Sequence, residues 1–267
     1  MSAKRRVFDF MRSTLPLRHS ATFPLIIRVY LCASVASSVL LLAQGDDAKF
    51  RPLREEMVRT QIAAARWGAA SAVRDARVLQ AMRDVPRHEF VPLEMVPHAY
   101  EDRPLPIGHG QTISQPYVVA KMTELAQPKK TDRALEIGTG SGYQAAVLAK
   151  LVAEVYTIEI VEPLGLEAKE RLRALGYRNV EVRIGDGYQG WPGKAPFDVI
   201  LVTAAPPQIP PKLIEQLKPG GRMVVPVGGA FQGQSLLLIT KNEKGEVRKQ
   251  EVMPVRFVPM VPGEKKP

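Results

Sequence analysis

Short apolar runs alternate with stretches of helical spacing through the second half of the chain. Arg133–Ile137, Glu154–Ile160, Val180–Ile184 and Phe197–Thr203 are brief, dominated by apolar side chains, and flanked by Gly, Pro or charged residues. Segments of that length and flanking read as buried strands. Helices are predicted between them at about 142–151, 163–175 and 211–217. Lys218–Gly221 reads as a turn into a further strand, Arg222–Val227. Ser235–Lys241 and Val247–Phe257 follow as two more strands, joined by the hairpin signal Asn242-Glu243-Lys244-Gly245. Strands alternating with helices predict a parallel sheet with right-handed crossovers, and the last hairpin adds antiparallel strands at one edge.

The first half is less regular. In residues 51–84, Met57, Ile62, Val73, Val78, Leu79 and Met82 keep helical spacing among Arg, Glu and Gln, until Pro86 stops the pattern. Residues 86–118 are rich in Pro and Gly and show no period, which in a long loop points to function. A helix is expected over 117–127. Residues 1–45 differ again: a basic stretch precedes the uncharged run 29–43. Fifteen apolar residues are short of the roughly 20 that span a bilayer. The run fits the core of a secretory signal, although the small-x-small cleavage pattern before Ala43 is absent. It fits equally a dispensable extension or an upstream start codon, with Met57 as an internal alternative. The expected organisation is therefore an appendage at 1–45, one domain at 46–260 (46–130 helical and loop-rich, 131–260 the sheet) and a tail at 261–267.

Net charge is +10, of which residues 1–45 carry +5 (six basic groups, one acid), leaving +5 on the body. That excess favours acidic substrates. No Lys/Arg run interleaved with aromatics is present, so nucleic acid is not an expected partner. Cys32 is the single cysteine, which excludes an intrachain disulfide and Cys-type zinc or Cys-His chemistry in the body. His88, His98 and His109 are irregularly spaced with no acid placed as a fourth ligand, and no metal is expected.

The informative stretch is Ala134–Ile160, a strand, a glycine turn, a helix and a second strand ending in a carboxylate. Gly138, Gly140 and Gly142 are spaced G-x-G-x-G, with Glu136 before them. A dinucleotide fingerprint would need glycine where Tyr143 stands. The loop resembles the E-x-G-x-G-x-G signature of S-adenosylmethionine (AdoMet) methyltransferases. The fold class is α/β: a doubly wound, Rossmann-like sheet with a C-terminal antiparallel hairpin and an N-terminal helical and loop extension. The glycines let backbone approach a ligand and present helix N-terminal amides, here to the methionine carboxylate of AdoMet. Glu159, at the end of the second strand, stands where an acid accepts from ribose hydroxyls. Asp186, with Gly187 beside it, follows the third strand, where a carboxylate meets the adenine amino group.

Three further segments narrow the resemblance: VPRHEFVP (Val85–Pro92), AYEDRPLPIGHGQTISQPY (Ala99–Tyr117) and LKPGGRMVVPVGG (Leu217–Gly229). With the glycine loop they resemble the protein-L-isoaspartate O-methyltransferase family from about Leu53 to Pro259. Pro104 departs from it, since the family more often has a small residue there. The resemblance implies methyl transfer from AdoMet to the α-carboxylate of L-isoaspartyl residues in damaged proteins. The ester then closes to succinimide, which reopens partly to aspartate. It implies isoaspartyl proteins and peptides as partners, and it assigns the active-site role to Ser114 of Thr112-Ile113-Ser114.

The chemistry of such a step needs no general base, because a carboxylate is already ionised at neutral pH. Thr112 and Ser114 hydroxyls can hold and orient it. Charge is neutralised along the reaction, so a neutral grip suits it better than an arginine fork. The strand end Val224–Gly228 is a second candidate, through substrate pairing at Val225 and Val227 as an added strand. The expectation is a cytoplasmic monomer, since AdoMet is made in the cytoplasm. Export, or membrane contact through residues 29–43, is the alternative if that run is retained. Two other readings stay open: a methyltransferase acting on another acceptor, and a catalytically silent AdoMet-fold binding protein.

Overall fold

The computed structural model describes residues 48–64, 71–229 and 233–263. The signal-like or dispensable segment expected at 1–45 lies outside the described residues. The described residues belong to one compact unit that runs from Asp47.

The main sheet is built from β3 (Arg133–Ile137), β4 (Glu154–Glu159), β5 (Val180–Ile184), β6 (Phe197–Val202), β7 (Leu217–Val227), β8 (Gln234–Lys241) and β9 (Val247–Val255). Their spatial order is β5-β4-β3-β6-β7-β8-β9. The first five run parallel and the last two pair antiparallel, as the alternation predicts. The order reverses between β3 and β6, and in such sheets ligands bind at that switch, outside the carboxyl ends of the strands.

Side chains alternate across the strands into two apolar layers. One layer joins Ala134, Val155 and Val199 to helices α2 (Ala76–Asp84), α3 (Pro116–Ala126), α4 (Tyr143–Ala149) and α5 (Glu162–Ala174). The other joins Leu135, Ile137, Ile158 and Ile200 to α6 (Pro211–Gln216) through Leu213. α2 and α3 share their layer with the sheet helices, so 46–130 is packed into the sheet part rather than set beside it.

Three local departures have physical causes. The periodic stretch 51–84 is not one helix. A helix (α1, 48–57) continues as a π turn, Val58–Ile62; among the described residues regular helix is next found at α2, capped by Asp75, which accepts from Arg77 N at 2.9 Å. Phe50 of α1 is buried and stacks on His88 at 4.0 Å. Residues 86–118 contain two 3₁₀ turns, Arg87–Phe90 and Leu93–His98, and a hairpin of β1 (Leu105–Gly108) and β2 (Gln111–Ile113). Strands of four and three residues are too short to leave a two-residue period. The expected Lys218–Gly221 turn survives as an irregularity within β7, between the pairs Phe197–Leu217 and Val199–Arg222. After β9 the chain returns to the body. Ala205 N donates to Val258 O and Met260 N to Ala205 O, both at 2.8 Å. No helix among the described residues is long and apolar enough to cross a membrane.

Candidate active site

β3 delivers the chain to the sheet's carboxyl edge, where Gly138, Gly140 and Gly142 all take positive φ (96°, 54° and 92°). A side chain would be strained at each. The loop is pinned from three sides. Gly138 N and Thr139 N donate to Ile158 O at 2.8 and 3.2 Å. The Thr203 hydroxyl lies 2.9 and 2.7 Å from the Ile137 and Gly138 carbonyl oxygens, to which it donates. Gly140 N donates to Glu159 Oε2 at 2.8 Å. Glu159 Oε1 accepts from Ile160 N and Val161 N at 3.0 Å. An ionised carboxylate has about four acceptor sites, so Glu159 both ties the loop and keeps acceptor capacity for a ligand hydroxyl.

Below the loop, Glu136 is fully buried. Thr157 Oγ1 donates to its Oε2 at 2.6 Å and itself lies 2.7 Å from Thr139 Oγ1. Glu136 Oε1 has no partner among the described residues, and the residue lines the cavity above the loop. Burial first, with nearby Glu159, pushes the carboxyl up to about 8, against the Thr157 hydrogen bond. Between the ordinary carboxylate range and about 8 the folded chain therefore holds a proton that the unfolded chain has lost. The associated stability is full below the unfolded pKa and is lost as pH rises towards 8. In the ligand-free protein, the melting temperature of wild type minus that of Glu136→Gln should fall by several degrees between pH 5 and pH 8.5. A difference independent of pH would show that Glu136 is ionised throughout.

The cavity holds about 270 Å³ and is bounded by Gly138–Ser141, Glu159–Val161, Gly187, Thr203 and the segment Val258–Val261. Gly187 is in this wall because no side chain fits: a Cβ there would lie 2.3 Å from Ile137 Cγ2. Asp186 is not in the wall. Its carboxylate accepts from Tyr188 N at 2.8 Å and Gln189 Nε2 at 3.3 Å, and it packs under Gly263. Tyr143, where a dinucleotide loop would have glycine, is buried at the start of α4. Phe90 meets its ring edge-on at 5.5 Å, and the buried Arg87 guanidinium lies 4.9 Å from it. Arg87 Nε donates to Ala99 O at 2.8 Å, and burial lowers its pKa to about 10. The VPRHEFVP segment is thus the packing behind the glycine loop.

The β1–β2 hairpin closes the other side, with Ile107 Cδ1 3.4 Å from where a Gly140 Cβ would be. Thr112 on its exit strand β2 and Ser114 just past the strand's end line this cavity and also a second one of about 690 Å³. Thr203 and Val258 are shared by both walls as well. Neither the Thr112 nor the Ser114 hydroxyl has a hydrogen-bond partner among the described residues. α3 begins two residues after Ser114, so the positive end of its dipole sits beside these hydroxyls.

Val225 and Val227, expected as substrate contacts, lie outside both cavity walls. Val225 is fully buried in the core layer. β8 pairs with one edge of this stretch, Val225 with Leu237 and Val227 with Ser235, while the pairing with β6 on the other edge ends at Val224. Sequence reasoning missed Thr203 and Val258–Val261, whose positions depend on contacts distant in sequence. The three histidines are dispersed. His88 is buried against Phe50, His98 pairs with Glu101 at 2.7 Å, and His109 sits in the β1–β2 turn with φ 51°.

The sequence profile of protein-L-isoaspartate(D-aspartate) O-methyltransferase matches residues 65–265. Protein-L-isoaspartate O-methyltransferase 1 of Cupriavidus necator is 54% identical over 248 residues, covering 92% of this chain and 95% of its own. Protein-L-isoaspartate O-methyltransferase 2 of a Polaromonas species is 62% identical over 186 residues, covering 70% and 88%. Among solved structures, a protein-L-isoaspartate O-methyltransferase superposes with a TM-score of 0.63 at 33% identity, covering 70% of this chain, which spans 61% of that one. A Plasmodium falciparum chain assigned to the same activity, in complex with S-adenosyl-L-homocysteine, superposes with a TM-score of 0.66 at 24% identity, covering 78% and 98%. The chain belongs to the protein-L-isoaspartate(D-aspartate) O-methyltransferase family.

Proposed function

We propose that this protein transfers the methyl group of AdoMet to the α-carboxylate of L-isoaspartyl residues in damaged proteins and peptides, the first step of their repair. The observation that carries this reading is the wall formed by Thr112 and Ser114 between the glycine-loop cavity and the larger one. A methyl donor in the first and a peptide in the second would meet there. AdoMet fits the first cavity on two counts: backbone approaches at glycines where a Cβ would clash or strain, and a buried Glu136 oxygen lacks a partner. When bound, it supplies an electrophilic methyl on a sulfonium, released as a neutral thioether.

In this reading Glu136, Gly138, Gly140, Gly142, Glu159 and Gly187 hold the donor, and Asp186 supports the Gly187 turn. Ser114 and Thr112 donate hydrogen bonds to the substrate carboxylate and aim one oxygen along the line from methyl carbon to sulfur. The new O–CH₃ bond forms as the S–CH₃ pair returns to sulfur, and no proton moves. Neutral donors and the α3 N-terminus hold the carboxylate without burying its charge against a fixed cation, so the charge-neutralised transition state is not opposed by an over-stabilised ground state. The ester then closes to succinimide without further help from the enzyme. The reading is of a monomer, since one chain supplies both cavities. It is of a cytoplasmic protein acting where AdoMet is made, on isoaspartyl proteins and not on nucleic acid.

The test pairs methyl-labelled AdoMet with two peptides that differ only in an L-isoaspartyl or L-aspartyl linkage. Base-labile label on the isoaspartyl peptide alone is the expected result. Label on neither, with AdoMet still bound, would move the activity to another acceptor.

A further inference from the structure

The larger cavity carries charge information that the methyl-transfer reading leaves unused. Its charged lining residues are Lys121 and Arg256, and no acid lines it. Lys121 is neutralised within its own helix by Glu124 at 2.9 Å. Arg256 is exposed and has no hydrogen-bond or ion-pair partner among the described residues.

Its backbone, in contrast, is firmly held. Val255 pairs with Gln234 in the sheet. The buried Gln234 side chain then continues that pairing one step beyond the strand. Its Oε1 accepts from Phe257 N at 2.7 Å and its Nε2 donates to Phe257 O at 3.1 Å. Val258 O accepts from Ala205 N at 2.8 Å. Arg256 is thus fixed between two clamped neighbours at the rim of a groove. The groove wall also includes Tyr117, Val118, Val252 and Phe257, with polar Gln115 and Thr203, and leads to Ser114. A guanidinium presents a planar fork of donors that matches a carboxylate in charge-assisted, bidentate hydrogen bonds.

We propose that Arg256 binds a carboxylate side chain next to the isoaspartyl residue, so that peptides with Asp or Glu flanking the damaged position are preferred. The proposal rests on the isoaspartyl reading above. It also gives the +5 charge of the body a local site of action.

The experiment uses the full chain and three isoaspartyl peptides that differ only in the flanking residue, Glu, Gln or Lys, with kcat/KM measured for each. Wild type is expected to prefer Glu over Lys by about five-fold or more, mainly through KM. Arg256→Gln should flatten the series, and Arg256→Glu should invert it. The readout is a ratio between peptides, so a variant that is merely less stable lowers all three and keeps the wild-type order. Retention of the preference for Glu in Arg256→Glu would overturn the proposal. So would an equal loss on all three peptides; at an unchanged melting temperature that loss would mean that Arg256 grips the reacting carboxylate itself. Methylation by wild type without charge preference overturns this proposal alone. No methylation of any of the three overturns the isoaspartyl reading with it.

Discussion

A Ser114→Ala protein is expected to methylate isoaspartyl peptides about a hundred-fold more slowly than wild type, at nearly unchanged AdoMet affinity. The Ser114 hydroxyl has no partner among the described residues, so its removal leaves no other group unsatisfied and costs little stability. What is lost is aim. The carboxylate keeps Thr112 and the α3 N-terminus but gains rotational freedom about a single hydrogen bond, and in-line geometry is then reached rarely. The loss should therefore appear in kcat more than in KM. Initial rates at saturating peptide, with calorimetric titration of AdoMet, measure both. A variant with wild-type kcat would remove Ser114 from the reaction.

Gly138→Ala should be the most damaging single-methyl change in the donor site. Gly138 sits at φ 96°, and a Cβ built there lies 2.5 Å from Thr203 Oγ1. The added carbon is strained by the backbone and displaces the hydroxyl that ties Ile137 and Gly138 together. The backbone alone costs on the order of 1–2 kcal/mol. The clash adds to it and opens the loop. A drop in melting temperature of about 5 °C or more, with AdoMet affinity reduced at least ten-fold, is expected. Gly176→Ala separates the two causes. Gly176 also has positive φ, 82°, but no atom lies within 4 Å of its Cβ position and it is remote from the loop. It should show the backbone cost without loss of AdoMet affinity. Equal affinity losses in the two variants would mean that general destabilisation, not the shape of the glycine loop, governs binding.

The order β3, glycine turn, α4, β4 was legible because its parts are neighbours in sequence. Each strand is long enough to show an apolar run, and each turn carries its own signal in Gly or Pro. Glu136, Gly138, Gly140 and Glu159 fall within that unit, and the structure brings all four to one cavity. The β1–β2 hairpin was not legible: with four and three residues, its strands are held by the body beneath rather than by their own pattern. The surroundings of Val225 and Val227 are not legible in the sequence for a related reason. The sequence states that a strand is apolar, but whether its edge is open depends on the strand beside it, here β8.

The amino-acid sequence by itself determined the class of sheet, the sharp backbone of the glycine loop and the chemical types available at the active site. Those follow from local steric limits and from periodicities within about 30 residues. Only the tertiary structure decided which groups share a wall. Thr203 and Val258 reach Ser114 from strands and loops far along the chain. Arg87 lies beneath Tyr143 from a segment that precedes the sheet. Gln234 holds the segment that carries Arg256. Each of these depends on how the whole chain packs, and packing between distant segments leaves no period in either one.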